Sequence, residues 1–131
     1  MHLVLKISLQ LFINMTFDSF FDYCISKKGV QETFPFDQVT LVFKVGGKMF
    51  ALADTIEFES VNLKCDPEKA IELRECYMAI QPGYHMSKKH WNTVQMQSDV
   101  DDKLFMELID HSYDLVVASL PKKVRNEIEM G

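Results

Sequence analysis

No run of 18 apolar residues occurs in this 131-residue chain, so no transmembrane helix is expected. The three cysteines, Cys24, Cys65 and Cys76, are odd in number and include no Cys-x-x-Cys pair, which argues against a zinc knot, a dithiol redox site or a complete disulfide framework. There is no Gly-x-Ser-x-Gly, no phosphate loop and no dinucleotide fingerprint. Excess positive charge is also missing: 14 Lys+Arg stand against 19 Asp+Glu, a net charge of −5. That balance excludes a generic nucleic-acid coat, which rests on surplus Lys and Arg neutralising phosphates, but leaves room for a local basic patch. Internal repeats and low-complexity tracts are absent. What is present is a globular composition, 47% hydrophobic and 25% charged, with 10 Phe, 4 Tyr and 1 Trp to fill a core. The length supports one domain.

Residues 1–14 are apolar and unlike the rest of the chain. A signal peptide fits poorly, because Lys6 is the only early cation and no small-x-small cleavage site follows. Met15 is read as the natural start, with 1–14 an N-terminal extension and 15–131 a single domain. An added strand or a loose arm is the alternative for 1–14. Without a convincing signal sequence, the thiols are expected reduced and mostly buried, and the protein cytoplasmic.

Phe17, Phe20, Phe21, Cys24 and Ile25 form one helical stripe, with Thr16 as N-cap and Gly29 as stop. Val30–Phe36 is broken by Pro35 and fits only an edge strand. The runs 39–45 and 48–53 flank Gly46-Gly47 and read as a tight hairpin. Its expected register pairs Val45 with Lys48, Phe43 with Phe50 and Leu41 with Leu52 on a buried face. Lys44 and Met49 fall on the other face. A third strand covers Glu59–Lys64 with Val61 and Leu63 inward. Asp66-Pro67-Glu68 opens a second helix whose apolar positions are Ala70, Ile71, Leu73 and Cys76. Trp91–Met96 alternates as a strand. A third helix runs from about Asp101 to Ser119, with Leu104, Leu108, Ser112, Leu115 and Ser119 on one stripe, and Lys122 begins a short tail helix. Hairpins and helices are segregated, so the class is α+β with an antiparallel sheet and helices on one face.

Several motifs now stand in order: Phe34-Pro35-Phe36, the hairpin from Thr40 to Leu52, Leu63–Pro67, Pro82–His85, Lys88–Val94, Ser112–Ala118 and Leu120–Lys123. Together they resemble the MmcQ/YjbR family of small bacterial proteins, over nearly the whole chain from Phe17 to Arg125. The resemblance implies a CyaY-like (frataxin-like) two-layer α+β sandwich. It also implies DNA binding, with sheet hairpins acting as wings, and no established reaction.

The densest polar cluster is Tyr84–Trp91, with Lys88, Lys89, His85 and His90 between two aromatics. One reading is a loop that grips phosphates while Trp91 or Tyr84 contacts sugar or base. The other is a solvated loop with an aromatic anchor. Lys44, Lys48, Lys122, Lys123 and Arg125 bring the candidate nucleic-acid contacts to seven Lys/Arg in three segments, joined by His90 and Trp91. Period-two alternation puts Trp91, Thr93 and Gln95 opposite Val94, on the same open face as Lys44 and Met49. These five residues form a predicted binding surface, in which an exposed tryptophan would mark a partner. Trp91→Ala would then weaken binding and spare the fold. If Trp91 is instead covered by the Tyr84 segment, the same change unfolds the protein. His85 and His90, five apart, fit neither a helical nor a strand metal face, and Cys24 has no base beside it. No metal, cofactor or catalytic residue is assigned. The chain is read as a non-catalytic DNA-binding protein, with a protein-interaction or small-ligand module around Trp91 as the alternative. Steep salt dependence separates the first from the second.

Overall fold

The computed structural model describes residues 15–131, so the reading of 1–14 as an extension lies outside the described residues. In chain order the elements are α1 (Phe17–Ile25), β1 (Val30–Thr33), β2 (Thr40–Val45), β3 (Lys48–Asp54), β4 (Ser60–Lys64), α2 (Pro67–Cys76), β5 (Ile80–Pro82), β6 (Trp91–Gln95), α3 (Asp102–Ser119) and α4 (Lys122–Met130). The six strands form one antiparallel sheet in the order β1-β2-β3-β4-β6-β5. This is the α+β class expected from the segregated elements.

Local chemistry sets the boundaries. Thr16 and Ser19 form a reciprocal capping box at the start of α1. Asp66 caps α2 and Asp101 caps α3, each side chain accepting from a backbone N–H three residues on. Helix α1 ends at Ile25 with Ser26 as C-cap, and Gly29, expected as the stop, instead turns the chain into β1 at φ +72°, a conformation that favours glycine. Asp99 does different work: its carboxylate accepts from the Met78 and Ala79 N–H groups at 2.7 and 2.8 Å, fixing the chain just before β5.

One face of the sheet carries the core beneath α1 and α3. Phe20 meets Phe43 and Phe105 edge-on, with centroids 5.6 and 6.3 Å apart, and Phe50 meets Tyr113 at 5.4 Å. Helix α2 buries only Ala70, while Ile71 and Cys76 are exposed, which corrects the expectation of an apolar stripe there.

The hairpin register also differs from expectation. Val45 pairs with Lys48 and Lys44 with Met49 as foreseen, but a β-bulge at Phe50 then shifts the ladder by one residue. Phe43 faces Ala51, Val42 faces Leu52 and Leu41 faces Ala53. The slip sends Ala51 and Ala53 toward the helices and Leu52 to the opposite face, where it joins Val42 and Trp91.

Helices α1 and α3 are also tied by a polar cluster. Asp110 accepts from the Tyr23 hydroxyl at 2.7 Å and from Lys27 Nζ, and Lys27 lies over the Tyr23 and Tyr113 rings. Burial pushes the Asp110 carboxyl up, but the bonds from Lys27 and Tyr23 outweigh it and hold the group below the usual carboxylate range. A depressed folded-state value contributes stability above the unfolded value, and that stability is lost as pH falls through the folded one. Asp110→Asn is therefore expected to be less stable at pH 7 by about 0.5–1 kcal/mol, since the pair is partly solvent-screened. In urea titrations at a series of pH values, the gap to the parent should close in the acid range and be full at neutral pH.

Candidate nucleic-acid interface

The register builds the second face of the sheet row by row. At the end holding the β2–β3 turn lie Gln31, Lys44 and Met49, with Lys64 and Trp91 beside them on β4 and β6. The middle row crosses all six strands: Thr33, Val42, Leu52, Asn62, Thr93 and Gln81. At the far end, Thr40 pairs with Asp54 and Ser60 with Gln95. The face thus runs from lysines at one end to a carboxylate at the other.

This places Lys44, Met49, Trp91, Thr93 and Gln95 on one face, but that face is not bare at Trp91. Trp91 is 8% exposed and Thr93 5%, because the β5–β6 loop folds back over them. Met86 packs on the cluster of Val42, Leu52 and Trp91. The Tyr84 N–H donates to Thr93 Oγ1 at 2.8 Å, Thr93 Oγ1 donates to Asn62 Oδ1 at 2.5 Å, and Asn62 Nδ2 donates to the Tyr84 carbonyl at 3.2 Å. Gly83 permits the close approach: a Cβ there would lie 2.7 Å from Trp91 Cβ. The expectation of an exposed tryptophan is therefore corrected, and the covered alternative describes the molecule. Alternation assigns a side chain to a face; it is silent about what crosses that face.

Arg74, not singled out from the sequence, holds the loop from the helical side. Its Nε donates to Asn92 Oδ1 at 2.7 Å, and its terminal nitrogen donates to the Lys88 and Trp91 carbonyls. Lys88 Nζ donates back to the Gly83 carbonyl at 2.9 Å, so this lysine is committed to the loop's own structure.

The remaining candidates fall into two groups at the same end of the sheet. Lys48 is exposed at the hairpin turn with Nζ 3.4 Å from Ser119 Oγ, and Gly46 abuts Leu120. The junction of α3 and α4 therefore sits against the hairpin turn, and exposed Lys122 and Lys123 start α4 there. Arg125, one turn on, is half-buried with an Nε that has no hydrogen-bond partner. Across the sheet, exposed Lys89 and His90 lead into β6, and the His90 carbonyl accepts from the Cys65 N–H beside Lys64. Lys64 was passed over in the sequence, although the inward assignment of Val61 and Leu63 already turned it outward. Among the described residues the one ion pair is Lys27–Asp110, so Lys44, Lys48, Lys64, Lys89, Lys122 and Lys123 have no carboxylate within bridging distance.

The nucleophile candidates are quiet. Cys24 is buried, and burial pushes its thiol up to about 12; Cys65 is pushed up to about 11 by the same cause. Both are protonated and covered at neutral pH. No described helix is long and apolar enough to cross a membrane.

A family model described as YjbR matches residues 25–115, from the end of α1 through all six strands into α3. The chain belongs to the YjbR family. Among its YjbR relatives, YbdF of Escherichia coli O157:H7 is 38% identical over 103 residues, covering 78% of this chain and 84% of that one. YjbR of E. coli K12 is 32% identical over 112 residues, covering 85% and 95%. Crystal structures share the fold. A Deinococcus radiodurans protein with a DUF419 domain superposes with a TM-score of 0.81 at 42% identity, covering 87% of this chain and 88% of that one. A Pseudomonas syringae protein reaches 0.67 at 28%, covering 78% and 99%. The YjbR match contains Lys44, Lys48, Lys64 and the Lys88–Trp91 segment, whereas Lys122, Lys123 and Arg125 lie beyond it.

Proposed function

We propose that this YjbR protein binds DNA without catalysing a reaction, through the basic end of its sheet. The observation that supports the reading is the gathering of unpaired lysines at that end: Lys44, Lys48 and Lys64 from three strands, Lys89 from the loop and Lys122 and Lys123 from the start of α4. The net charge of −5 is unevenly spread: Asp54, Glu57 and Glu59 lie at the far end of the same face or in its loops, while Glu127 of α4 lies near Gly46 and Gly47 at the basic end. Lysines contact phosphates as mobile point charges, so the interaction is positional and not base-reading. Trp91, being covered, takes no part in stacking.

Anisotropy of a labelled duplex and of its single strand tests this across salt. Four phosphate contacts on a duplex give a slope of roughly −3.6 in log affinity against log salt, a loss of about a hundredfold between 50 and 200 mM. Replacing Lys44, Lys48, Lys89 and Lys123 with alanine is expected to remove most of that slope. Failure of both DNA forms to bind at low salt, or an unchanged slope in the variant, would refute the proposal.

A further inference from the structure

At the opposite end of the same face, three loops enclose a cleft of about 520 Å³. The β1–β2 loop supplies Phe36, the β3–β4 segment supplies Asp54, Glu57 and Glu59, and the β5–β6 loop supplies Tyr84 and His85. Leu52 and Met86 form part of its lining, so the cleft rests on the outer side of the cluster that covers Trp91. The volume is that of a small-molecule site.

Two independent features mark it. The first is exposed aromatic and apolar surface. Phe36 is 65% exposed and Tyr84 68%, so two of the seven exposed large hydrophobic side chains among the described residues line this cleft, and the same loops carry exposed Phe34 and Ile56. Solvent-exposed rings concentrated in one place mark a contact surface. The second is charge. Among the described residues, three carboxylates line the cleft and no lysine or arginine does.

One of the three carboxylates, that of Asp54, is held in place by its own turn. Asp54 Oδ1 accepts from the Ile56 and Glu57 N–H groups at 2.7 and 3.2 Å, which shapes the turn. Phe58, between the two glutamates, takes φ +45° and packs its ring against Phe17 and Phe20 on the helical side. Glu57 and Glu59 flank that anchor and line both this cleft and the neighbouring recess beside Phe17 and Met96. His85 takes φ +60°, and its ring lies 4.0 Å from that of Tyr84. Left-handed backbone at His85, a non-glycine residue of the cleft lining, is a local strain of the kind that binding sites retain.

We propose that this cleft binds a small organic cation, an ammonium or guanidinium carried on a flat apolar body. The carboxylates supply the counter-charge, and the Phe36 and Tyr84 rings supply apolar contact and attraction for the cation. A bare metal ion fits less well, because no group of three converging ligands exists among the described residues. An anion meets three carboxylates. The proposal stands apart from DNA binding, since it uses the other end of the face.

The test is a nitrogen–proton NMR titration with 2-phenylethylamine, and with 3-phenylpropionate as its shape-matched anion. The amine is expected to shift resonances within 54–60 and 84–86, with the anion binding at least about tenfold more weakly. Glu57→Gln with Glu59→Gln is expected to weaken the amine about tenfold, and Tyr84→Ala to weaken it comparably, both with an otherwise unchanged spectrum. Equal binding of amine and anion, shifts confined to other residues, or no shifts at about 10 mM amine would overturn the proposal.

Discussion

Replacing Ser112 with alanine is expected to destabilise the fold by about 2–4 kcal/mol, far more than a serine hydroxyl on a helix usually carries. Ser112 is fully buried on α3, and its hydroxyl donates to the Phe50 carbonyl at 2.6 Å while accepting from the Lys64 N–H at 2.9 Å. Phe50 is the bulge residue of β3. Beyond the Ala51–Leu63 pair, where the β3–β4 ladder ends, the hydroxyl bonds one backbone group on each strand. Alanine would leave a buried carbonyl and a half-covered N–H without partners, each costing roughly 1–3 kcal/mol. Ser112→Cys keeps the shape but donates weakly, so it should fall between the two, which separates lost hydrogen bonds from lost packing. Ser119 is the control: it lies two turns on along the same stripe, is exposed, and bonds the Val116 carbonyl of its own helix. Ser119→Ala is expected to stay within about 0.5 kcal/mol. Urea midpoints for the three variants decide it, and a parent-like midpoint for Ser112→Ala would remove the bridging role.

The same residue shows where sequence reading stops. The helical stripe of α3 was legible, Ser112 included, because a 3.6-residue period needs only the spacing of apolar side chains. The partner of its hydroxyl was not, because the bulge is invisible in composition. Phe50, Ala51 and Leu52 are all apolar, so the two-residue alternation that would expose a slip carries no signal there. The Gly46-Gly47 turn sets only the first two pairs, and those are the pairs that agree with expectation. Alternation did succeed on β6, where Trp91, Thr93 and Gln95 fall on one face as their parity requires. Covering that face is a loop property, created by Gly83, Asn62 and Arg74 acting from separate segments. The cleft was hidden for the same reason. Phe34–Phe36, Glu57 with Glu59, and Tyr84–His85 were each visible as motifs, but only the folded loops bring them together.

Trp91→Ala is expected to cost about 3–5 kcal/mol, reversing the outcome that an exposed tryptophan would give. The side chain is 8% exposed and packs with Val42 and Leu52 on the sheet and with Met86 of the loop above. Removing it leaves a large apolar void on a face that, among the described residues, has no helix to settle into the gap. The loss also reaches the loop, because Met86 would have nothing to rest on and the Tyr84–Thr93–Asn62 bonds would have to hold the segment alone. Far-UV circular dichroism in urea reads the effect, since the chain's only tryptophan is gone in the variant. Tyr84→Ala, removing a 68% exposed ring from the same loop, should leave stability within about 0.5 kcal/mol. That contrast distinguishes two aromatics seven residues apart: Trp91 holds the loop to the sheet, and Tyr84 is free to meet a ligand. A stable Trp91→Ala protein with an unchanged urea midpoint would mean that the loop does not cover the face in solution.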